Sequence, residues 1–134
     1  MKDSSGKTER RKFKRFVFSP RDEVYGEFKF PGLLEDPAVL KIADIGAGGL
    51  RAVVPKDLAA DVGEGHFIFL IEIKGRSRLE LVARVGLKVR WVLSHPALAH
   101  AMIGCEFIDL SDENRAQIDD FVESELTSGP PSKP

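Results

Sequence analysis

The segment from residue 79 to residue 93 has an apolar residue at every second position, and this pattern constrains the fold more than any other feature of the chain. The apolar positions are Leu79, Leu81, Ala83, Val85, Leu87, Val89, Trp91 and Leu93. A period of two predicts a β-strand with one apolar face. At about 3.3 Å per residue such a strand would extend roughly 50 Å if straight, wider than a small domain. The strand must therefore bend, with the bulge expected at Gly86, and a long curling strand is what a small closed barrel requires.

The rest of the chain supplies five more strand-like segments and one helical segment. The strand-like segments are residues 24–30, 38–45, 50–54, 66–73 and 102–109. After residue 110 the apolar residues follow the 3.6-residue period of a helix, and Ser111 is the expected N-cap. We therefore predict a mainly β fold: a six-stranded antiparallel β-barrel followed by one C-terminal α-helix.

The predicted barrel and helix account for a single domain between two polar ends of the chain. Residues 10–126 are expected to form it, while residues 1–9 and 127–134 are polar and lack periodicity, and are expected to be flexible ends. The longest apolar run is only five residues, 67–71, so no membrane insertion is expected. The charged N-terminus carries no secretory signal, and the single cysteine, Cys105, fits a reducing compartment. These features favour a cytoplasmic location.

The sequence contains no recognised catalytic motif. None of the three histidines has a cysteine or histidine at zinc-ligand spacing, and no phosphate-binding glycine loop or nucleophile motif occurs. We therefore predict that the protein is not an enzyme and holds no metal or cofactor. Trp91 and Cys105 are expected to pack as core residues, because Trp91 is in phase with the other apolar positions of its segment.

Charge is distributed unevenly along a chain whose formal net charge is −1. Residues 1–15 carry seven lysines and arginines against two acids, whereas residues 106–126 carry eight acids against one arginine. A basic head of this kind favours contact with an anion, although a basic run is more often a solvated tail. General nucleic-acid binding is not expected, because the domain as a whole is not basic.

Two short patches have the chemistry of a binding site. The first is residues 10–15 (RRKFKR), and the second is residues 44–49 (DIGAGG), where a strand runs into a glycine-rich turn. Arginine pairs bidentately with phosphate and with the O6/N7 edge of guanine, and the Asp44 carboxylate can accept N–H bonds from guanine or hold an arginine. Taken separately, the second patch is more often an ordinary hairpin turn. A ligand with phosphates and guanines would use both patches.

The order of these patches resembles the PilZ domain family. The resemblance rests on four short motifs: an (R)RxxxR patch at residues 10–15, a (D/N)x(S/G)xxG turn at residues 44–49, and the later segments VRWV at 89–92 and GCEF at 104–107. The resemblance implies a bacterial receptor for cyclic di-GMP, with outputs in the family such as motility or exopolysaccharide regulation. It also implies a mobile basic segment that closes over the ligand and alters a surface presented to a protein partner.

The resemblance assigns roles to individual residues. Arg11 and Arg15 would hold phosphate and guanine, and Arg10 would assist them. Asp44 would accept from guanine N–H groups, and Gly49 would shape the turn.

Position 46 departs from the serine that is common in the family. If that hydroxyl bonds the ligand, Gly46 removes about 0.5–1.5 kcal/mol of binding free energy. We expect this change to weaken binding rather than to abolish it. It supports one alternative, a PilZ-like interaction module that does not bind the nucleotide, which the intact arginines oppose. A separate alternative is a small barrel that binds single-stranded RNA. The second is disfavoured, because Phe13 is the only aromatic residue in the basic patch.

Overall fold

The computed structural model describes residues 14–128. Its elements are β1 (Arg15–Val17), β2 (Tyr25–Lys29), β3 (Ala38–Gly46), β4 (Gly49–Pro55), α1 (Lys56–Asp61), β5 (Phe67–Lys74), β6 (Ala83–Leu93), β7 (His100–Phe107) and α2 (Asp112–Ser128). Helix α2 continues two residues into the segment predicted as a flexible tail. Residues 1–9 lie outside the described part, so their predicted flexibility stays a prediction.

Six of the strands close into an antiparallel barrel, which confirms the predicted fold class. The strand order is β3-β2-β5-β6-β7-β4, and pairing of β4 with β3 closes the ring. Strand β1 is an additional strand that the periodicity did not predict. It pairs with the end of β3, next to the stretch of β3 that pairs with β2.

The barrel interior is filled by the inward-facing side chains of all six strands. The largest fully buried ones include Phe28, Phe30, Ile42, Ile45, Leu50, Ile68, Leu70, Ile73, Leu87 and Ile103. Burial of this much apolar surface supplies the main driving force for closure of the sheet, at about 25 cal/mol per Å². Cys105 is buried among these residues, as predicted.

Strand β6 differs from its prediction in three ways. It begins at Ala83, because residues 79–82 form a turn that nevertheless buries Leu79. Gly86 pairs regularly with Phe69, and the bulge lies instead between Val89 and Trp91 in the pairing with β7. The extra residue at the bulge reverses the faces of the side chains that follow, so that Trp91 and Leu93 lie on the outer face and Val92 packs against the core. Trp91 is consequently 39% exposed, so its predicted core position is wrong.

Two helices accompany the barrel. The six-residue α1 was not predicted; it begins directly after Pro55 and buries Leu58 and Ala59. Helix α2 begins after the predicted cap, where the Ser111 hydroxyl accepts a hydrogen bond from the Asn114 amide at 3.0 Å. Over residues 14–128, neither helix has the length and apolar character needed to span a bilayer.

The buried face of α2 packs against β1 and β3. The ring of Phe121 contacts those of Phe16 and Phe18, with centroid separations of 5.8 and 6.0 Å. Ile118 and Val122 complete this face and are fully buried. The predicted amphipathic helix is thus confirmed, and it packs against β1, whose first residue, Arg15, is the last residue of the basic patch.

Candidate functional site

The β3–β4 hairpin positions the acidic residue of the second patch. Ala47 and Gly48 form a two-residue turn, so that Gly46 pairs with Gly49 and Asp44 pairs with Arg51. Side chains of directly paired residues point to the same face of a sheet. Because Ile45 points into the barrel, Asp44 and Arg51 both lie on its outer side.

Asp44 is the only charged or polar residue among those described that is buried, at 1% exposure. Arg15 donates from Nη1 to Oδ1 of Asp44 at 2.8 Å, and Arg51 donates from Nε to Oδ2 at 2.5 Å. The two arginine side chains are partly exposed. A buried carboxylate is costly unless it is paired and hydrogen-bonded, and here each oxygen has its own guanidinium donor. The three residues form a cluster with a surplus positive charge.

Glycine is required at position 46 by the passage of β1. A β-carbon on Gly46 would lie well inside 3.0 Å of the Lys14 carbonyl oxygen, and 3.1 Å from Cγ of Arg15. The absence of a side chain therefore lets β1 lie close against the end of β3. The same holds at Gly49, whose β-carbon would meet the Cys105 carbonyl of β7.

Five residues lie side by side across the outer face of the barrel. This outer row, read from β1 through β3, β4 and β7 to β6, is Val17, Asp44, Arg51, Gly104 and Trp91. The Trp91 indole lies directly over the α-carbon of Gly104, since a β-carbon there would overlap its ring. The row joins the cluster around Asp44 to the one tryptophan of the chain.

Strand β1 links this cluster to α2. Lys14 forms an ion pair with Glu123 at 2.8 Å, and this contact raises the pKa of Lys14, first through the hydrogen bond and then through charge attraction. Phe16, next to Arg15 in sequence, packs its ring edge-on against Phe121. The contacts of β1 therefore divide between the barrel and the helix.

The structure brings together four of the six residues proposed from the sequence. Arg15, Asp44 and Gly46 are in mutual contact or directly paired, and Gly49 supports the hairpin from the opposite strand. Arg10 and Arg11 lie outside the described residues.

Arg51 was missed by the sequence analysis. A signal for it exists, because a two-residue turn at 47–48 places residue 51 opposite residue 44 in the hairpin register.

Within residues 14–128, no cluster of three or more His, Cys, Asp or Glu could hold a metal ion.

The fold is that of a PilZ domain. The family model for the PilZ domain matches residues 9–124, so the chain belongs to the PilZ domain family. No curated protein matches the chain by sequence.

Solved structures show the same fold at low sequence identity. The PilZ domain of YcgR from Escherichia coli, solved with c-di-GMP, superposes with a TM-score of 0.70 at 15% identity, covering 89% of this chain and 93% of that one. The MrkH–c-di-GMP complex of K. pneumonia gives 0.70 at 15%, covering 88% and 53%. Bacillus subtilis MotI/DgrA, an inhibitor of motility, gives 0.67 at 16%, covering 90% and 52%. The chain thus spans about half the length of MrkH and of MotI/DgrA.

Proposed function

We propose that this protein is a non-catalytic receptor for cyclic di-GMP, and that Arg10, Arg11, Arg15, Asp44, Gly46 and Gly49 form its binding site. The observation that carries the proposal is the direct contact of Arg15 with Asp44, which joins the two patches on the surface of a PilZ barrel. Two structural relatives, YcgR and MrkH, were solved with this dinucleotide.

The chemistry of the cluster suits a ligand with two phosphates and two guanines. Guanidinium forks bind phosphate oxygens and the O6/N7 edge of guanine. Asp44 can accept from guanine N–H groups once one of its oxygens is released. The arginine surplus around Asp44 attracts an anion, and the further arginines at positions 10 and 11 add to it.

Binding would proceed by exchange of partners. In the structure, Arg15 donates a hydrogen bond to Oδ1 of Asp44. The phosphates would draw Arg15 and the residues before it onto the ligand, and guanine would take the released carboxylate oxygen. Closure of the basic segment over the dinucleotide would then change the surface next to α2, where an unidentified protein partner would bind.

One observation favours a second candidate, a PilZ interaction module without nucleotide binding. Both oxygens of Asp44 are engaged by the protein's own arginines, and the Lys14 backbone lies over Gly46. In this candidate the site is permanently filled by β1.

Calorimetric titration with cyclic di-GMP separates the two candidates. A receptor releases or absorbs heat at micromolar ligand and yields a stoichiometry of one or two molecules. An absence of heat at high micromolar concentration, with a folded protein, would refute the receptor and support the silent module. A parallel filter-binding assay with mixed-sequence RNA tests the remaining alternative.

A further inference from the structure

The geometry points to Arg51 as a third arginine of the ligand site, one that binds the acceptor edge of guanine beside Asp44. This inference rests on the proposed function and assigns a role to a residue outside both sequence patches. It concerns a direct contact with the dinucleotide, beyond the support that Arg51 gives to Asp44.

Arg51 has donors to spare. Its contact with Asp44 uses Nε, and neither Nη atom has a hydrogen bond or ion pair with any residue from 14 to 128. The side chain is 35% exposed on the outer face, in the same row as Asp44. Four N–H groups of a permanently charged guanidinium thus have no protein partner within residues 14–128, in a side chain that is partly exposed beside the buried carboxylate.

Neutralisation of Asp44 does not require Arg51. Arg15 already supplies one full positive charge to that carboxylate at 2.8 Å. A second arginine leaves the cluster with an uncompensated charge, which a purely structural ion pair does not need. An anionic, acceptor-rich ligand compensates it.

The pair of Asp44 and Arg51 matches the guanine edge in the order of its groups. Guanine carries N–H donors at N1 and N2, next to acceptors at O6 and N7. A carboxylate accepts from the donors, and an adjacent guanidinium donates to the acceptors. Adenine places an amino donor where guanine has O6, so the same pair disfavours adenine.

The barrel holds Arg51 in place before the ligand arrives. Strand β4 is hydrogen-bonded on both sides, to β3 and to β7, and Arg51 pairs with Asp44 on one side and Gly104 on the other. These pairings fix the backbone of Arg51, and the bond from its Nε to Oδ2 of Asp44 restrains the side chain, so its donors lose less conformational entropy on binding.

The test compares Arg51→Lys with the wild type in calorimetric titrations against cyclic di-GMP and cyclic di-AMP. Lysine keeps a positive charge beside Asp44 but lacks the planar fork of donors. Arg78→Lys, an exposed arginine in the turn before β6, is the matched control. Thermal unfolding of each variant checks that it is folded, and Arg51→Ala is added where it folds.

We expect Arg51→Lys to bind cyclic di-GMP about tenfold or more weakly, with cyclic di-AMP binding unchanged or absent throughout and Arg78→Lys like the wild type. Wild-type affinity in Arg51→Lys would overturn the inference, since charge alone would then suffice. An equal loss for both nucleotides would also overturn it, because it would place Arg51 on the shared phosphates. A wild type that binds neither nucleotide would instead refute the proposed receptor function.

Discussion

The backbone carbonyl of Lys14 lies directly over the α-carbon of Gly46, in the space where any other residue would begin its side chain. Strand β1 reaches the end of β3 through this contact, and Arg15 reaches Asp44. The residue that departs from the common serine of the family is thus the one that lets β1 dock.

Gly46→Ala should lift β1 from β3. The added β-carbon would overlap a backbone atom rather than a flexible side chain, so relief requires movement of the strand. We expect the free energy of unfolding to fall by about 1–3 kcal/mol, the usual cost of overpacking, and amide hydrogen exchange to accelerate at residues 15–17. Gly63→Ala is the control, because a β-carbon there meets nothing within 4 Å. Unchanged exchange in Gly46→Ala would contradict the docked strand.

Arg15→Ala should weaken cyclic di-GMP binding by at least about 1.5–3 kcal/mol, the range for hydrogen bonds to charged groups. The barrel should remain folded, since Asp44 keeps its bond to Arg51. Affinity is measured by calorimetry at two salt concentrations, because loss of a phosphate contact also reduces the effect of salt. Arg21→Ala, exposed in the turn after β1, serves as the control. Equal affinities of wild type and Arg15→Ala would remove Arg15 from the site.

Phe121→Ala should destabilise the protein and loosen β1 together. The ring is 1% exposed and contacts both Phe16 and Phe18, so its removal leaves a cavity between α2 and the barrel. Urea unfolding should show a loss of about 3–5 kcal/mol, and exchange at residues 15–17 should accelerate. Leu126→Ala, on the same helix but 47% exposed, should cost far less. If exchange in β1 were unaffected, the helix and the strand would be independent.

Cys105 should resist thiol reagents in the folded protein. Burial raises the pKa of its thiol to about 12, from an ordinary value of 9.0. At pH 9 an exposed thiol is about half ionised, whereas the buried one stays protonated and unreactive. The absorbance change with a disulfide reagent at pH 9 should therefore be slow, and should become fast in guanidinium chloride. Equally fast reaction in both solutions would show that Cys105 is accessible.

Asp22 should make the free energy of unfolding depend on pH in the acid range. The hydrogen bond from Arg76, followed by that from the Ser19 amide, lowers the pKa of Asp22 below its ordinary 3.8. The folded state then binds fewer protons than the unfolded state, so this contribution is complete above about pH 4 and is lost as pH falls through the lowered pKa. Urea titrations from pH 2 to pH 5 should show the difference between wild type and Asp22→Asn shrinking with acid. A constant difference would count against the assignment.

Local periodicity was enough to predict the barrel, because each of its strands buries alternate side chains. It did not predict β1, which has three residues, or α1, which has six, since neither is long enough to show a period. The prediction that Trp91 lies in the core was wrong because periodicity within one strand does not show where a bulge falls. A bulge reverses the faces of the residues after it, and its place depends on pairing with β7 rather than on β6 alone.

The types and order of residues in the sequence predicted the two patches of the candidate site, but not the contacts between their side chains. The contact of Arg15 with Asp44 spans 29 positions and depends on β1 docking against β3. Arg51 carries no motif of its own, and its relevance appears only when the hairpin register sets it opposite Asp44.

The adjacency of Arg15 and Phe16 gives the molecule a mechanical layout. One residue holds the carboxylate of β3 and the next holds a ring of α2, so β1 cannot shift at the first without pulling on the second. Through β1, the carboxylate site on the barrel is therefore in continuous contact with the acidic C-terminal helix.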